Sequence, residues 1–280
     1  MLRAELLKLR RSHLWLIAIV LPLLAVITGS INYFSNPGAL THGWDSLFSQ
    51  VLLFYGMFYL SIGVAVIVAA AWRMEHQGSN YTMLRTNTRR AVSLIAAKTT
   101  AVSILILFMQ LILVVGTFVV GVTFASHNGA PPLKYLVLVL ISIVAAVPLV
   151  LLQSVLSMYL KSFAAPIAWA FLGLIIGIAF SFAPGWIRDL GWLFPYSLVS
   201  RSLSLISVAT GTTGTTGTSI DMGSVVTIFL SSAVLAGVFL VGFVLFLDLP
   251  CARFLVFQNR GQHVRSQTPQ HFQPAYQFEP

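Results

Sequence analysis

Five cations crowd one polar bridge between two long apolar runs. Residues 72–98 read WRMEHQGSNYTMLRTNTRRAVSLIAAK and carry Arg73, Arg85, Arg89, Arg90 and Lys98. Guanidinium and ammonium groups at that density form charge-assisted hydrogen bonds with carboxylates or backbone oxygens of another molecule. Glu75 stands where the bridge leaves the preceding apolar run, a place where a carboxylate favours the start of a short helix. Gly78 permits a tight turn or close approach. The bridge has too little apolar surface for a core of its own. Its length suits one short helix lying across a membrane surface, and its chemistry is that of docking.

Bond-making chemistry is hard to find elsewhere. A phosphate-binding GxxxxGK[ST] loop needs a lysine directly after a glycine; the four lysines, Lys8, Lys98, Lys134 and Lys161, none of them follow one. No HExxH pair exists, and the six histidines show no i,i+4 spacing. His76 reads as a surface residue. Cys251 is the only cysteine, which excludes an intrachain disulfide and a multi-cysteine metal site. Nucleophilic serine chemistry needs an adjacent base, and the apolar runs offer none. The sequence therefore predicts a chain that is no enzyme, with no cofactor of its own.

The elements that position the bridge are membrane spans. The chain has 280 residues, 58% hydrophobic and 8% charged, against about 25% charged in soluble domains. Runs of 18 or more apolar residues read as transmembrane helices, and six occur: 14–34, 48–71, 100–125, 135–159, 163–183 and 224–247. They do not alternate as barrel strands do. The expected fold is all-α and integral to the membrane, with a transmembrane domain over 1–257 and a polar, Gln- and Pro-rich tail over 258–280.

Basic residues orient the spans. Thirteen fall before span 1, between spans 2 and 3, between spans 4 and 5, and after span 6; three (Lys134, Arg188, Arg201) fall on the other side. Both termini and the bridge are expected in the cytoplasm of a cell membrane. This asymmetry explains the net charge of +9 without nucleic acid. Residues 1–12, MLRAELLKLRRS, place Leu2, Leu6 and Leu9 at helical spacing, with Glu5, Lys8, Arg10 and Arg11 around them. That is either an interfacial amphipathic helix or a plain basic anchor. Residues 184–223 form the longest external segment, too polar to cross, expected to dip into the outer leaflet or lie on it. Within it, 210–218 is a Gly/Thr tether.

The span centres hold no Asp, Glu, Lys or Arg, which weighs against a proton-coupled carrier. Gln110 and Gln153 lie well inside spans and either contact a substrate or hydrogen-bond a neighbouring helix. Tyr55, Phe58 and Tyr59 on span 2 suit an amphipathic ligand, or core and lipid contact. Gly173 and Gly177 form a GLIIG motif, a close-packing face for either another helix of the chain or a second copy.

Three features together resemble the permease subunits of type-2 ABC exporters, nearest to those of lantibiotic immunity and bacitracin resistance. They are the basic leader ELLKLRRS (Glu5 to Ser12), the bridge residues Glu75, Gly78, Leu84, Arg90 and Lys98, and six spans with a longer external segment carrying Phe194-Pro195. The similarity covers residues 1 to about 250. It implies two paired permeases, identical or different, and two cytoplasmic ATPases that carry ATP and Mg and dock on residues 73–90. In the immunity branch the cargo is an amphipathic antimicrobial peptide or drug expelled from the membrane. The competing reading is a secondary carrier or channel for a hydrophobic or amphipathic solute. It predicts a charge pathway or internal repeats, and the sequence has neither.

Overall fold

The computed structural model describes residues 2–10, 12–40, 43–76, 88–125, 131, 133–160, 162–205 and 222–248. Every regular element among them is helical: α1 (Leu2–Arg10), α2 (Leu14–Ser35), α3 (Trp44–Phe54), α4 (Leu60–His76), α5 (Thr88–Thr123), α6 (Lys134–Tyr159), α7 (Ala164–Phe182), α8 (Gly185–Leu190), α9 (Pro195–Leu203) and α10 (Met222–Asp248). A π-helical turn, Tyr55–Tyr59, joins α3 to α4, and a 3-10 turn, Gly191–Leu193, precedes α9. Six helices are long and apolar enough to cross a membrane: Leu14–Ser35, Trp44–His76, Ile95–Thr123, Lys134–Tyr159, Ala164–Phe182 and Met222–Gly242. The expected all-α integral membrane fold is observed. Helices solve the problem that hydrocarbon cannot hydrogen-bond an exposed backbone.

The spans alternate in direction. One end of the bundle, the basic end, holds α1, the start of α2, the end of α4, the start of α5 and the α6–α7 turn. Spans 2 and 4 form the centre: 61% of each apolar window is buried, against 28% and 22% for spans 5 and 6. Lipid is as apolar as leucine, so apolar side chains gain little by leaving it, and close packing and polar contacts must hold the helices together. Small residues do this on α2, where Ala18, Ala25 and Gly29 share a buried face. At Gly29 a Cβ would lie 2.5 Å from the Val51 Cα, so only glycine lets α2 and α3 approach this closely. Asn32 Nδ2 then donates to Gln50 Oε1 at 2.6 Å across the same pair.

At the opposite end, Asp45 fastens span 2 to span 4. It accepts from Lys134 Nζ at 2.9 Å and from the Tyr135 hydroxyl at 2.7 Å. The Phe48 and Tyr135 rings stack beneath, 4.5 Å between centroids.

One open expectation is resolved here and one is corrected. Of the two readings of the external segment, dipping inward or lying on the surface, each holds for a part of it. Its first part, α8, is exposed, but α9 is drawn inside, with Tyr196, Ser197, Leu198, Val199, Ser202 and Leu203 all buried. The reason is a matched socket. At Gly173 and Gly177 on α7 an added Cβ would lie 2.3 Å from the Tyr196 ring and 3.0 Å from its Cβ. The GLIIG face therefore packs within the chain and is not free to meet a second copy. Ser200 Oγ donates to the Gly56 carbonyl at 2.9 Å, a backbone oxygen inside the π-helical turn. Secondly, much of the bridge 72–98 is not a surface segment: α4 continues to His76 and α5 begins at Thr88. The short helix expected across the membrane surface, the Gly/Thr stretch and the tail lie outside the described residues.

Candidate coupling site at the basic end

The site is built from α1, α4 and α5. Helix α1 carries Glu5 in its first turn and Lys8 and Arg10 in its last, the arrangement that suits the helix dipole. Ser12 ends it: its hydroxyl donates to the Leu9 carbonyl at 2.6 Å. Leu9 is buried against the bundle, so one stripe of α1 is apolar and Glu5, four residues earlier, is carried inward with it.

Four charges meet there. Lys98 Nζ lies 2.6 Å from Glu5 Oε2, 3.1 Å from Glu75 Oε1 and 3.1 Å from the Ala71 carbonyl oxygen. An ammonium has three donors, so Lys98 is fully used. Lys8 Nζ lies 2.6 Å from Glu75 Oε1 and 2.9 Å from Glu5 Oε1. Two carboxylates face two ammoniums and the formal charge sums to zero. Burying ions costs several kcal/mol each unless they are paired and hydrogen-bonded; each of these is. Desolvation works against the Lys8 charge, but its hydrogen bonds to Glu75 and Glu5 outweigh it and hold the ammonium above the ordinary lysine value. The Trp72 ring lies beside the cluster, 5.5 Å from Lys98 Nζ.

The same end has two more fasteners. The His76 ring nitrogen Nε2 is 2.8 Å from the Ser157 carbonyl oxygen, tying α4 to α6 and correcting the reading of His76 as a surface residue. Arg73 lies over the Phe163 ring at 5.6 Å, tying α4 to the start of α7.

Glu75 was expected to favour the start of the short helix of the bridge, and Lys98 to face a soluble partner. They are 3% and 2% exposed and face each other. Each neutralises the other across α4 and α5, so neither charge is left buried alone. Glu5 is drawn into the same cluster and Lys8 only half-exposed. Arg10 remains exposed on α1. Arg89 and Arg90 lie in the first turn of α5. Gly78, Leu84, Arg85 and Arg11 lie outside the described residues. Pairing of Glu5 with Lys98, 93 positions apart, has no local signal; the i,i+3 spacing of Glu5 and Lys8 was the one visible clue.

Gln110 and Gln153 are buried and each bonds a neighbouring helix. Gln110 Nε2 donates to Ser142 Oγ at 2.6 Å, joining spans 3 and 4. Gln153 Nε2 donates to the Tyr196 hydroxyl, joining span 4 to α9. The single oxygen, Oε1, of each amide, and the Tyr55 hydroxyl, are buried without a hydrogen-bond partner among the described residues. Tyr55 is fully buried, Tyr59 half-buried, and Phe58 reaches the surface. Sequence reasoning missed Tyr196, Ser200 and Asp45, whose partners are all far along the chain. Among the described residues, no three of His, Cys, Asp and Glu come together as metal ligands.

A family model described as ABC-2 family transporter protein matches residues 1–177. The match runs from α1 into α7 and includes all four residues of the charge cluster. Neither a curated protein nor a solved structure matches the chain.

Proposed function

Since the chain belongs to the ABC-2 family of transporter proteins, and is thereby a multi-pass membrane permease of an ABC transporter, we propose that it forms the membrane path of an ATP-driven exporter. A separate ATPase subunit, carrying ATP and Mg, docks on the segment between α4 and α5. Arg89 and Arg90, with Arg85, are the groups offered to it. Both termini and this segment lie in the cytoplasm of the cell membrane. A second permease, identical or related, completes the path, using exposed faces such as Leu16, Leu23, Ile27 and Ile31 of span 1. The cargo is an amphipathic antimicrobial peptide of the lantibiotic type, or a similar drug.

The observation that carries this reading is the cluster Glu5–Lys8–Glu75–Lys98. It lashes the two helices that flank residues 77–87 to each other and to α1. A push delivered to that segment then reaches spans 2 and 3 together instead of fraying two helix ends. The test is a purification in mild detergent from cells that contain the partner ATPase. The wild type and Lys98→Met, Arg89→Ala/Arg90→Ala and Arg85→Ala variants are compared for ATPase copurification, membrane abundance and cellular resistance to the peptide. The arginine variants should keep their abundance and lose the ATPase. Normal ATPase recovery and normal resistance in all of them would exclude this segment as the docking surface.

A further inference from the structure

Only three basic residues were assigned to the end opposite the cluster, and two of them meet. Arg201 of α9 is half-buried and held in place: Nε donates to Ser197 Oγ at 3.1 Å, and Nη2 donates to the Arg188 carbonyl. Its guanidinium lies 4.6 Å from the Trp192 ring centroid. It crosses so close to Gly191 that an added Cβ there would lie 2.6 Å from Nη2. The second arginine, Arg188 on α8, is exposed. Among the described residues the ion pairs are those of Lys8, Lys98 and Lys134 with Glu5, Glu75 and Asp45; neither Arg188 nor Arg201 takes part in one. Asp189 contributes at longer range. Burial and then the nearby Arg188 charge both depress the Arg201 pKa, with Asp189 opposing. A glycine, a serine and an indole thus hold the Arg201 guanidinium against the backbone of Arg188.

The surroundings are apolar. Phe182, Trp186, Leu190 and Leu193, neighbours of Arg188 along the chain, are exposed. Tryptophan favours the headgroup level of a bilayer, so this surface meets acyl chains below and headgroups beside it. We propose that Arg188 and Arg201 form a receptor for the phosphate of an anionic phospholipid in the leaflet at this end. The phosphate offers acceptors to both guanidiniums and relieves their repulsion, while the exposed indole and leucine side chains lie along its chains.

Native mass spectrometry of the purified permease, loaded from detergent with an equimolar mixture of phosphatidylglycerol and phosphatidylcholine, tests this. No ATPase, nucleotide or cargo is present, so the outcome is independent of the exporter reading. The wild type should retain phosphatidylglycerol in preference. Arg188→Gln keeps the backbone carbonyl that Arg201 binds, and should lower that preference by about fivefold. Arg188→Lys should restore much of it. Arg188→Gln/Arg201→Gln should abolish it, and if that variant fails to fold, Arg188→Gln decides alone. Equal retention of both lipids by the wild type, or an unchanged preference in Arg188→Gln, would overturn the assignment. Displacement of the lipid by millimolar inorganic phosphate would also overturn it, by marking a site for a free anion.

Discussion

Lys98→Met isolates the charge cluster most cleanly. Methionine keeps an unbranched apolar stem and deletes the ammonium. Glu5 Oε2 then loses its 2.6 Å partner, Ala71 loses its 3.1 Å donor, and Glu75 Oε1 is left with Lys8 alone. Two carboxylates remain against one ammonium, so a net negative charge is stranded at a site where the Glu5 side chain is 5% exposed. Removing one partner of a buried pair costs about 3–5 kcal/mol. Lys8→Met should cost much less, roughly 1 kcal/mol, because the 37% exposure of its side chain lets water screen the loss. Glu5→Gln/Lys98→Met removes one charge of each sign and leaves the Lys8–Glu75 pair intact. It should recover most of what the single variant loses. The assay is the apparent melting temperature of the detergent-purified permease, with limited proteolysis of α1 as a second readout. At roughly 2–4 °C per kcal/mol, the Lys98→Met drop should be at least about 6 °C, with α1 cut sooner. If Lys8→Met melts as low as Lys98→Met, or the double variant melts below the single one, the cluster is not the brace described above.

Three further outcomes are expected. Gly173→Ala should cost roughly 1–3 kcal/mol by driving a methyl into the Tyr196 ring, and thermal melting checks it. Tyr196→Phe should leave the Gln153 amide buried without its acceptor, at about 1–3 kcal/mol, and Gln153→Leu should relieve that loss in the same melt. The third concerns pH. The Lys8 ammonium is held above its ordinary value of 10.5, so its contribution is fully present below that value and is lost as pH rises through the higher folded one. Protection of α1 from protease should not decline through this group between neutral pH and 10.5, and should fall above it; a decline centred well below 10.5 would contradict the pairing.

The spans were legible because hydropathy and length are local. All six expected runs overlap an observed spanning helix over most of their length, and the largest shifts sit where polar residues continue a helix, at 72–76 and 88–99. Those shifts have one cause. Glu75 and Lys98 look like surface residues when each is read among its neighbours, and only the fold shows that they neutralise each other. The N-terminal helix was visible in the spacing of Leu2, Leu6 and Leu9, but not the inward turn of Glu5. Gln110 and Gln153 left two readings open, and the helix-bonding one is observed through each amide nitrogen, with each amide oxygen unpaired among the described residues. The burial of α9 was hidden because PYSLVSRSL is amphipathic, as a leaflet-lying helix would be. What draws it inside is a pair of glycines on α7 and a carbonyl in a π-helical turn, and neither leaves a mark on α9 itself.

The length of α5 has a mechanical consequence. Its 36 residues make a rod about 54 Å long, where the hydrocarbon core needs only about 30 Å. Lys98, bonded to α1 and α4, lies ten residues from the Thr88 tip, an arm of about 15 Å at 1.5 Å per residue. The remaining arm to Thr123 is about 38 Å. If the rod pivots at Lys98, α1 is a fulcrum: a sideways push of about 2 Å on the short arm becomes about 5 Å at the far tip, and in the opposite direction. On such a pivot, a small inward movement at the basic end would become a larger outward one at the opposite end of α5.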